Sequence, residues 1–117
     1  MKILITDDNQ SITKMMEKYL TRKGHEVVVS NDGRNALTIM NQQKFDKVLL
    51  DLSMPEFSGY DVINALEKEN KVREKNIILF TASVAADEEL NKLMQRGVRS
   101  CLRKPVDLEL LLKTLES

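Results

Sequence analysis

The sequence predicts an α/β fold in which five parallel strands alternate with five helices in a doubly wound sheet. Short apolar runs recur along the chain, and after each run the apolar residues are spaced as on one face of a helix. Unbroken apolar runs are typical of strands buried on both faces, and strict alternation of strands and helices favours a parallel sheet. The 117 residues suffice for one sizeable core, so residues 1–117 are interpreted as a single domain.

The first half of the chain contains three strand-like runs, at residues 3–5, 27–29 and 47–50. The residues after the first run are apolar at i, i+3, i+4, i+7 and i+8, which predicts an amphipathic helix that ends near Gly24. A turn at residues 31–33 precedes the second helix. The apolar stripes of these two helices are Ile12, Met15, Met16, Tyr19 and Leu20, followed by Ala36, Leu37 and Met40.

The second half contains strand-like runs at residues 77–80 and 99–102. Ser58 and Asp61 have the spacing of a capping box, which predicts the start of the third helix. The acidic residues 87–89 suit the positive N-terminus of a fourth helix. The apolar stripes of the last three helices are Val62, Ile63 and Leu66, then Leu90, Leu93 and Met94, then Leu108, Leu111, Leu112 and Leu115.

Right-handed crossovers restrict the strand order, and the flavodoxin-like order 2-1-3-4-5 is the common arrangement of five strands. Its switch point lies between the first and third strands, and such sheets bind ligands outside the carboxyl ends of the strands there. Asp7 and Asp8 come soon after the first run, and Asp51 follows the third. The predicted topology therefore brings three carboxylates to one crevice.

Two further polar side chains follow the remaining strands, Thr81 after the fourth and Lys104 after the fifth. Clustered carboxylates repel one another, so the group makes chemical sense around a small hard cation such as Mg²⁺. An amine and a hydroxyl suit an anionic oxygen bound beside that cation. Each residue also has a plain structural interpretation, as a helix cap, a turn residue or a surface lysine. Their joint occurrence at strand ends favours a metal-assisted phosphoryl site.

The composition argues against several classes of function. Lys and Arg together number 18, as do Asp and Glu, so no net field favours nucleic acid or an anionic membrane. Cys101 is the single cysteine, so no internal disulfide forms and a reducing compartment is expected. No apolar run has the length of a signal-peptide core or a membrane span, and we expect a cytoplasmic protein.

Four motifs resemble those of the receiver domain of two-component response regulators, and the resemblance extends over the whole chain. They are Asp7-Asp8, the stretch 51–55 with Gly59 eight residues after Asp51, Thr81-Ala82 and Lys104-Pro105. The resemblance implies that Asp51 accepts a phosphoryl group from a phosphohistidine, on a sensor histidine kinase or a histidine phosphotransfer protein. The implied Mg²⁺ ligands are Asp7, Asp8, Asp51 and the backbone carbonyl of Ser53, and the implied phosphoryl ligands are Thr81, Ala82 and Lys104.

The same resemblance implies a signalling phosphoacceptor that catalyses only its own phosphorylation and dephosphorylation. A downstream effector protein would bind the face of helix 4, strand 5 and helix 5, where Leu110 is expected to be exposed. Because the chain ends at its fifth helix, we expect a stand-alone regulator that is monomeric or that dimerises on phosphorylation. A receiver module of a larger regulator with a DNA-binding domain would also fit the sequence, as would a docking or dimerising module that acts without phosphate.

The chain departs from this family at Cys101, where receivers usually have Tyr or Phe, and at Val106, which is often aromatic. In the family, the rotamer of this aromatic side chain reports phosphorylation to the output face. An aromatic ring buries about 150–250 Å², and a thiol is too small to transmit the change in the same way. We expect Cys101 to be a small buried side chain and Thr81 to transmit the change. The shifts should centre on Ser83 to Asp87 and on the loop after Asp51, with little change around Cys101.

Two different classes of protein fit less well. A nucleotide-binding protein of this fold needs a hydroxyl- or glycine-rich loop after the first strand, where this chain has Asp7-Asp8-Asn9-Gln10. An aspartyl-phosphate hydrolase needs a second acid near its nucleophile, and the residues Leu52-Ser53-Met54 offer none.

Overall fold

The computed structural model describes residues 1–82 and 86–117, which form five strands, five α-helices and one short 3-10 helix. The strands are β1 (Lys2–Thr6), β2 (Glu26–Ser30), β3 (Lys47–Asp51), β4 (Ile77–Thr81) and β5 (Ser100–Arg103). The helices are α1 (Gln10–Arg22), α2 (Gly33–Gln42), α3 (Gly59–Lys68), α4 (Asp87–Gln95) and α5 (Leu108–Glu116), and the 3-10 helix is Arg73–Lys75.

The five strands form one parallel sheet in the order β2-β1-β3-β4-β5, which confirms the predicted fold and topology. The register aligns the carboxyl ends of the strands at one edge of the sheet. Asp51, the last residue of β3, pairs with Phe80, and Thr81, the last residue of β4, pairs with Arg103. Thr81 therefore lies one residue beyond the partner of Asp51, at the same edge as the acid.

Both faces of the sheet are covered by helices, so β1, β3 and β4 are buried almost throughout, whereas the edge strands β2 and β5 are partly exposed. One apolar cluster joins the strands to α2, α3 and α4, and the other joins them to α1 and α5. Burial on both faces explains why the strands appear in the sequence as unbroken apolar runs rather than alternating ones. Among the described residues, no helix has the length and apolar character needed to cross a membrane.

Polar side chains fix the start of four helices. Asn9 caps α1 by accepting from two backbone N–H groups, and Asp32 and Asp107 cap α2 and α5. The predicted capping box of α3 is present, because Ser58 and Asp61 each accept from the backbone of the other. The α4 helix differs: its N-cap residue is Ala86, which offers no side-chain hydrogen bond.

The structure corrects three expectations of detail. The fifth strand is Ser100–Arg103 rather than 99–102, one residue later than predicted. Met15 and Met94 belong to the predicted apolar stripes, yet each is 40% exposed. Adjacent helix positions point about 100° apart, so these residues fall on the flank of the faces centred on the buried Met16 and Leu93. Cys101 is half-buried rather than buried, because β5 is an edge strand.

Candidate functional site

Three carboxylates meet at the carboxyl edge of the sheet, as the sequence predicts. Asp7, Asp8 and Asp51 each offer one oxygen, and these three oxygens lie within 4.8 Å of one another. Asp7 and Asp51 are buried, with exposed fractions of 0% and 2%, whereas Asp8 is exposed. The three acids therefore form a crevice whose inner end, at Asp7 and Asp51, is buried and whose outer end, at Asp8, is open to solvent.

The position of Asp51 is fixed by the turn that follows β3. The backbone N–H of Ser53 donates to Asp51 Oδ1 at 3.1 Å, and the N–H of Gly59 donates to the carbonyl oxygen of Leu52 at 3.1 Å. The start of α3 packs so closely here that a Cβ on Gly59 would lie 2.4 Å from the carbonyl oxygen of Asp51. A side chain at position 59 would push α3 away from the acid.

Asp51 is held in an environment that disfavours its charge. Burial, and then the nearby negative charge of Asp7, raise the pKa of Asp51 to about 6, against weaker opposing effects of the Ser53 N–H and of Lys104. A buried carboxylate beside another carboxylate is a destabilising arrangement unless a cation joins it. The site is therefore built for more positive charge than its own side chains supply.

Asp7, the second buried acid, shares a cation with Asp51. Its Oδ1 accepts from the backbone N–H of Asn9 at 2.9 Å, and its buried Oδ2 lies 3.0 Å from the ammonium of Lys104 as an ion pair. The same ammonium also pairs with Asp51, so one positive charge is shared by two buried carboxylates, and the exposed Asp8 adds a third negative charge. A hard cation ligated by oxygen would offset this excess of negative charge, and the donor set fits Mg²⁺.

Lys104 lies between the two buried acids. Its Nζ is 3.0 Å from Asp7 Oδ2 and 3.4 Å from Asp51 Oδ2. Burial lowers the pKa of Lys104, but the contacts with these two carboxylates outweigh that effect and leave the pKa above its usual value. The backbone N–H of Lys104 also donates to the carbonyl oxygen of Thr81 at 2.7 Å, which ties the lysine to β4.

The remaining predicted residues line a groove beside the carboxylates. Ser53, Thr81 and Ala82 contribute to the walls of this groove, which has a volume of about 530 Å³. Thr81 is buried, and Ser53 and Ala82 are exposed. Tyr60 and Glu89 line the same groove and were not singled out from the sequence, since a residue on an amphipathic helix gives no signal of which cavity it borders.

The structure also removes the plain interpretations of two motifs. Asn9, not Asp7 or Asp8, caps α1. Lys104 is not a free surface lysine, because its ammonium pairs with both buried acids. Of the region expected to shift, Ser83 lies outside the described residues, whereas Asp87 is the first residue of α4.

A comparison with protein families agrees with this geometry. The model of the response regulator receiver domain matches residues 3–116. The chain belongs to this family. Receiver domains are the phosphoacceptor modules of two-component signalling, so the resemblance drawn from the four motifs is confirmed at the level of the family.

Relatives of this receiver domain occur both alone and within larger proteins. PilH of Pseudomonas aeruginosa is 32% identical over 118 residues, which covers 99% of this chain and 95% of PilH. The sensor histidine kinase RcsC of Salmonella typhimurium is 31% identical over 118 residues, which covers 98% of this chain but 12% of the kinase.

Solved structures of receiver domains superimpose closely on this chain. Chemotaxis response regulator CheY4 of Vibrio cholerae gives a TM-score of 0.87 at 31% identity, covering 98% of this chain and 95% of that one. The receiver domain of a sensor histidine kinase from Pseudomonas aeruginosa gives 0.84 at 28% identity, covering 98% and 93%. In that structure a magnesium ion is coordinated in the active site cleft.

Proposed function

We propose that residues 1–117 form a single receiver domain that takes a phosphoryl group onto Asp51 from a phosphohistidine, with Mg²⁺ required. The observation that carries the proposal is the convergence of three carboxylate oxygens within 4.8 Å, with the ammonium of Lys104 beside the two buried ones. A docking module that works without phosphate has no use for this arrangement, because burying two acids side by side costs stability.

In the proposed reaction, an oxygen of ionised Asp51 attacks the phosphorus of the donor. The new O–P bond forms as the P–N bond breaks, and its electrons leave with the imidazole nitrogen. Lys104 binds the oxygens of the transferred group, and so do the Thr81 hydroxyl and the backbone N–H of Ala82. Ala82 suits this role because its methyl side chain allows an anion to approach the backbone. Phosphoryl transfer depends mainly on such positioning and on charge stabilisation.

Asp7, Asp8, Asp51 and the backbone carbonyl of Ser53 are proposed to hold Mg²⁺. The bound ion supplies positive charge that offsets the repulsion among the carboxylates and the phosphoryl oxygens. Asp7 keeps one oxygen hydrogen-bonded to Asn9, and its other oxygen, which pairs with the Lys104 ammonium, becomes a metal ligand when that ammonium turns to the phosphoryl group. Asp8, the exposed member of the three, marks the side from which the ion and the donor enter.

The proposed partners are a sensor histidine kinase or histidine phosphotransfer protein as donor, and an effector protein on the face formed by α4, β5 and α5. Leu110 on α5 is 50% exposed and Met94 on α4 is 40% exposed, so apolar side chains are available on both helices of that face.

The experiment is phosphorylation by a small acyl phosphate, followed as a mass increase of the intact protein. Wild type with Mg²⁺ is expected to gain one phosphoryl group, and the gain is expected to vanish in Asp51→Asn and with a chelator present. Asp107→Asn is the matched control, because Asn caps a helix as well as Asp does and Asp107 lies at the start of α5. Phosphorylation that persists in Asp51→Asn, or without divalent metal, would refute the proposal.

A further inference from the structure

An ion pair attaches the start of α4 to the adjacent edge strand. The guanidinium of Arg103, the last residue of β5, donates to the carboxylate of Asp87, the first residue of α4. The N-cap residue Ala86 contributes no side-chain hydrogen bond. The other four α-helices of the described chain each begin with a side-chain cap. The start of α4 is therefore held by a side-chain contact with β5 and not by a cap on its backbone N–H groups.

Arg103 is also placed where the proposed phosphoryl ligands meet. Its neighbour in the chain is Lys104, whose ammonium pairs with Asp51 and Asp7. Its register partner across the sheet is Thr81, and the N–H of Lys104 donates to the Thr81 carbonyl. A displacement of Thr81 or Lys104 toward a phosphoryl group on Asp51 therefore reaches Arg103 directly, through one peptide bond or one strand pairing.

The same ion pair fixes one end of the connection between β4 and α4. Thr81, the last residue of β4, and Asp87, the first residue of α4, are six positions apart in the chain. One end is held by Thr81 in the sheet and the other by the side chain of Arg103 on the adjacent strand. When Thr81 and Ala82 are drawn toward the phosphoryl group, the start of α4 either follows or is released from Arg103.

We infer that the Asp87–Arg103 ion pair is a latch that holds α4 in its unphosphorylated position and opens when Asp51 is phosphorylated. The inference rests on the proposed function, since it names how the occupied site changes the structure. It also gives α4 a connection to the site that needs no aromatic side chain at Cys101. Arg103 and Asp87 are positioning residues under this proposal, because neither touches the transferred group.

The latch is weak enough to be opened by the site. The side chain of Asp87 is 90% exposed and that of Arg103 is 34% exposed. Exposed ion pairs contribute little to the stability of a protein. Breaking one changes the equilibrium constant between two conformations by no more than about fivefold. Phosphoryl ligands that bind Thr81 and Lys104 can outweigh such a contact.

The test measures the affinity for beryllofluoride, a phosphoryl mimic, in the presence of Mg²⁺ by NMR titration. A contact that exists only in the unphosphorylated state opposes binding, so Arg103→Gln and Asp87→Asn are both expected to raise the affinity about two- to fivefold. The double variant is expected to match either single one, and the charge exchange Asp87→Arg with Arg103→Asp is expected to return toward wild type. The amide shifts of α4 in the free Arg103→Gln protein should move toward those of the bound wild type.

Arg96→Gln is the matched control at the opposite end of the same helix. Its guanidinium donates to Glu67 at 2.8 and 3.1 Å and joins α4 to α3, far from the carboxyl edge of the sheet. This variant is expected to lose stability without any change in beryllofluoride affinity.

The sign of the two single variants separates a latch from a general charge effect. Losing a cation weakens the binding of an anion and losing an acid strengthens it, so Arg103→Gln and Asp87→Asn shift the affinity in opposite directions if only charge matters. Opposite shifts, unchanged affinity in both, or a loss of affinity in both would each overturn the latch. Failure of the wild type to bind beryllofluoride would instead count against the proposed function.

Discussion

The two sides of the acidic crevice are built differently. On the β1–β3–α3 side, buried acids are fixed by backbone hydrogen bonds, and α3 begins with a full capping box and packs Gly59 against the carbonyl of Asp51. On the β4–β5–α4 side, α4 begins without a side-chain cap and is tied to β5 by the Asp87–Arg103 pair. The first side can hold a metal and a nucleophile still, while the second can respond to what binds.

The largest effect is expected from adding a methyl group at Gly59 on the β1–β3–α3 side, which we call the rigid side. In Gly59→Ala the new Cβ would lie 2.4 Å from the Asp51 carbonyl oxygen and 2.7 Å from the Leu52 Cα, both backbone atoms that cannot turn aside. We expect a loss of about 3 kcal/mol in the free energy of unfolding, measured in urea, together with slower phosphorylation. Lys68→Ala, at the exposed end of the same helix, is the control. Stability within about 0.5 kcal/mol of wild type in Gly59→Ala would mean that this side is not rigid.

The second prediction concerns the charge stored on the rigid side. The pKa of Asp51 is raised to about 6 in the folded chain from an ordinary value of 3.8, so the folded state binds a proton that the unfolded state releases. The stability that this proton contributes is present below pH about 4 and is lost as the pH rises through about 6.

Thermal unfolding without divalent metal checks this sign. The melting temperature of wild type is expected to fall between pH about 4 and about 6 more steeply than that of Asp51→Asn, and added Mg²⁺ should restore it above pH about 6. If the melting temperatures of the two proteins change with pH in parallel, the pKa of Asp51 is not raised in the folded protein.

The strand ends explain how much of this site could be predicted from the sequence. Asp51, Thr81 and Lys104 each follow an apolar run, and a parallel sheet brings such positions to one edge whatever the details of packing. The Asp87–Arg103 pair could not be predicted in this way, because it depends on where an exposed side chain and a partly buried one point. The exposure of Met15 and Met94 could not be predicted either, because a stripe of apolar residues marks the centre of a buried face better than its limits.

A third and smaller effect is expected from capping α4 as the other helices are capped. Ala86 has the extended backbone of an N-cap residue, and Glu89 stands at the third helical position, so Ala86→Ser completes a capping box. We expect a gain of about 1 kcal/mol in the free energy of unfolding and a weaker affinity for beryllofluoride. Ser58→Ala, the converse change at α3, is expected to lose about 1 kcal/mol. An affinity that rises in Ala86→Ser would place the movable element elsewhere.

The smallest expected effect lies on β5. Cys101 is half-buried at the sheet edge, and Cys101→Ala is expected to change the free energy of unfolding by less than about 0.5 kcal/mol and to leave the response to beryllofluoride intact. Thr81→Ala is expected to shrink that response, measured as amide shifts in α4. If Cys101→Ala abolishes the response while Thr81→Ala preserves it, the signal passes through β5 instead.

One measurement tests the contrast between the two sides most directly: the amide shifts of the wild-type protein with Mg²⁺, before and after beryllofluoride is added. We expect large shifts at Thr81, at Lys104 and in the first turn of α4, and small shifts along α3 beyond Gly59 and around Cys101. Large shifts along α3 with an unchanged start of α4 would contradict this contrast, because the element fixed by the capping box would then be the one that moves.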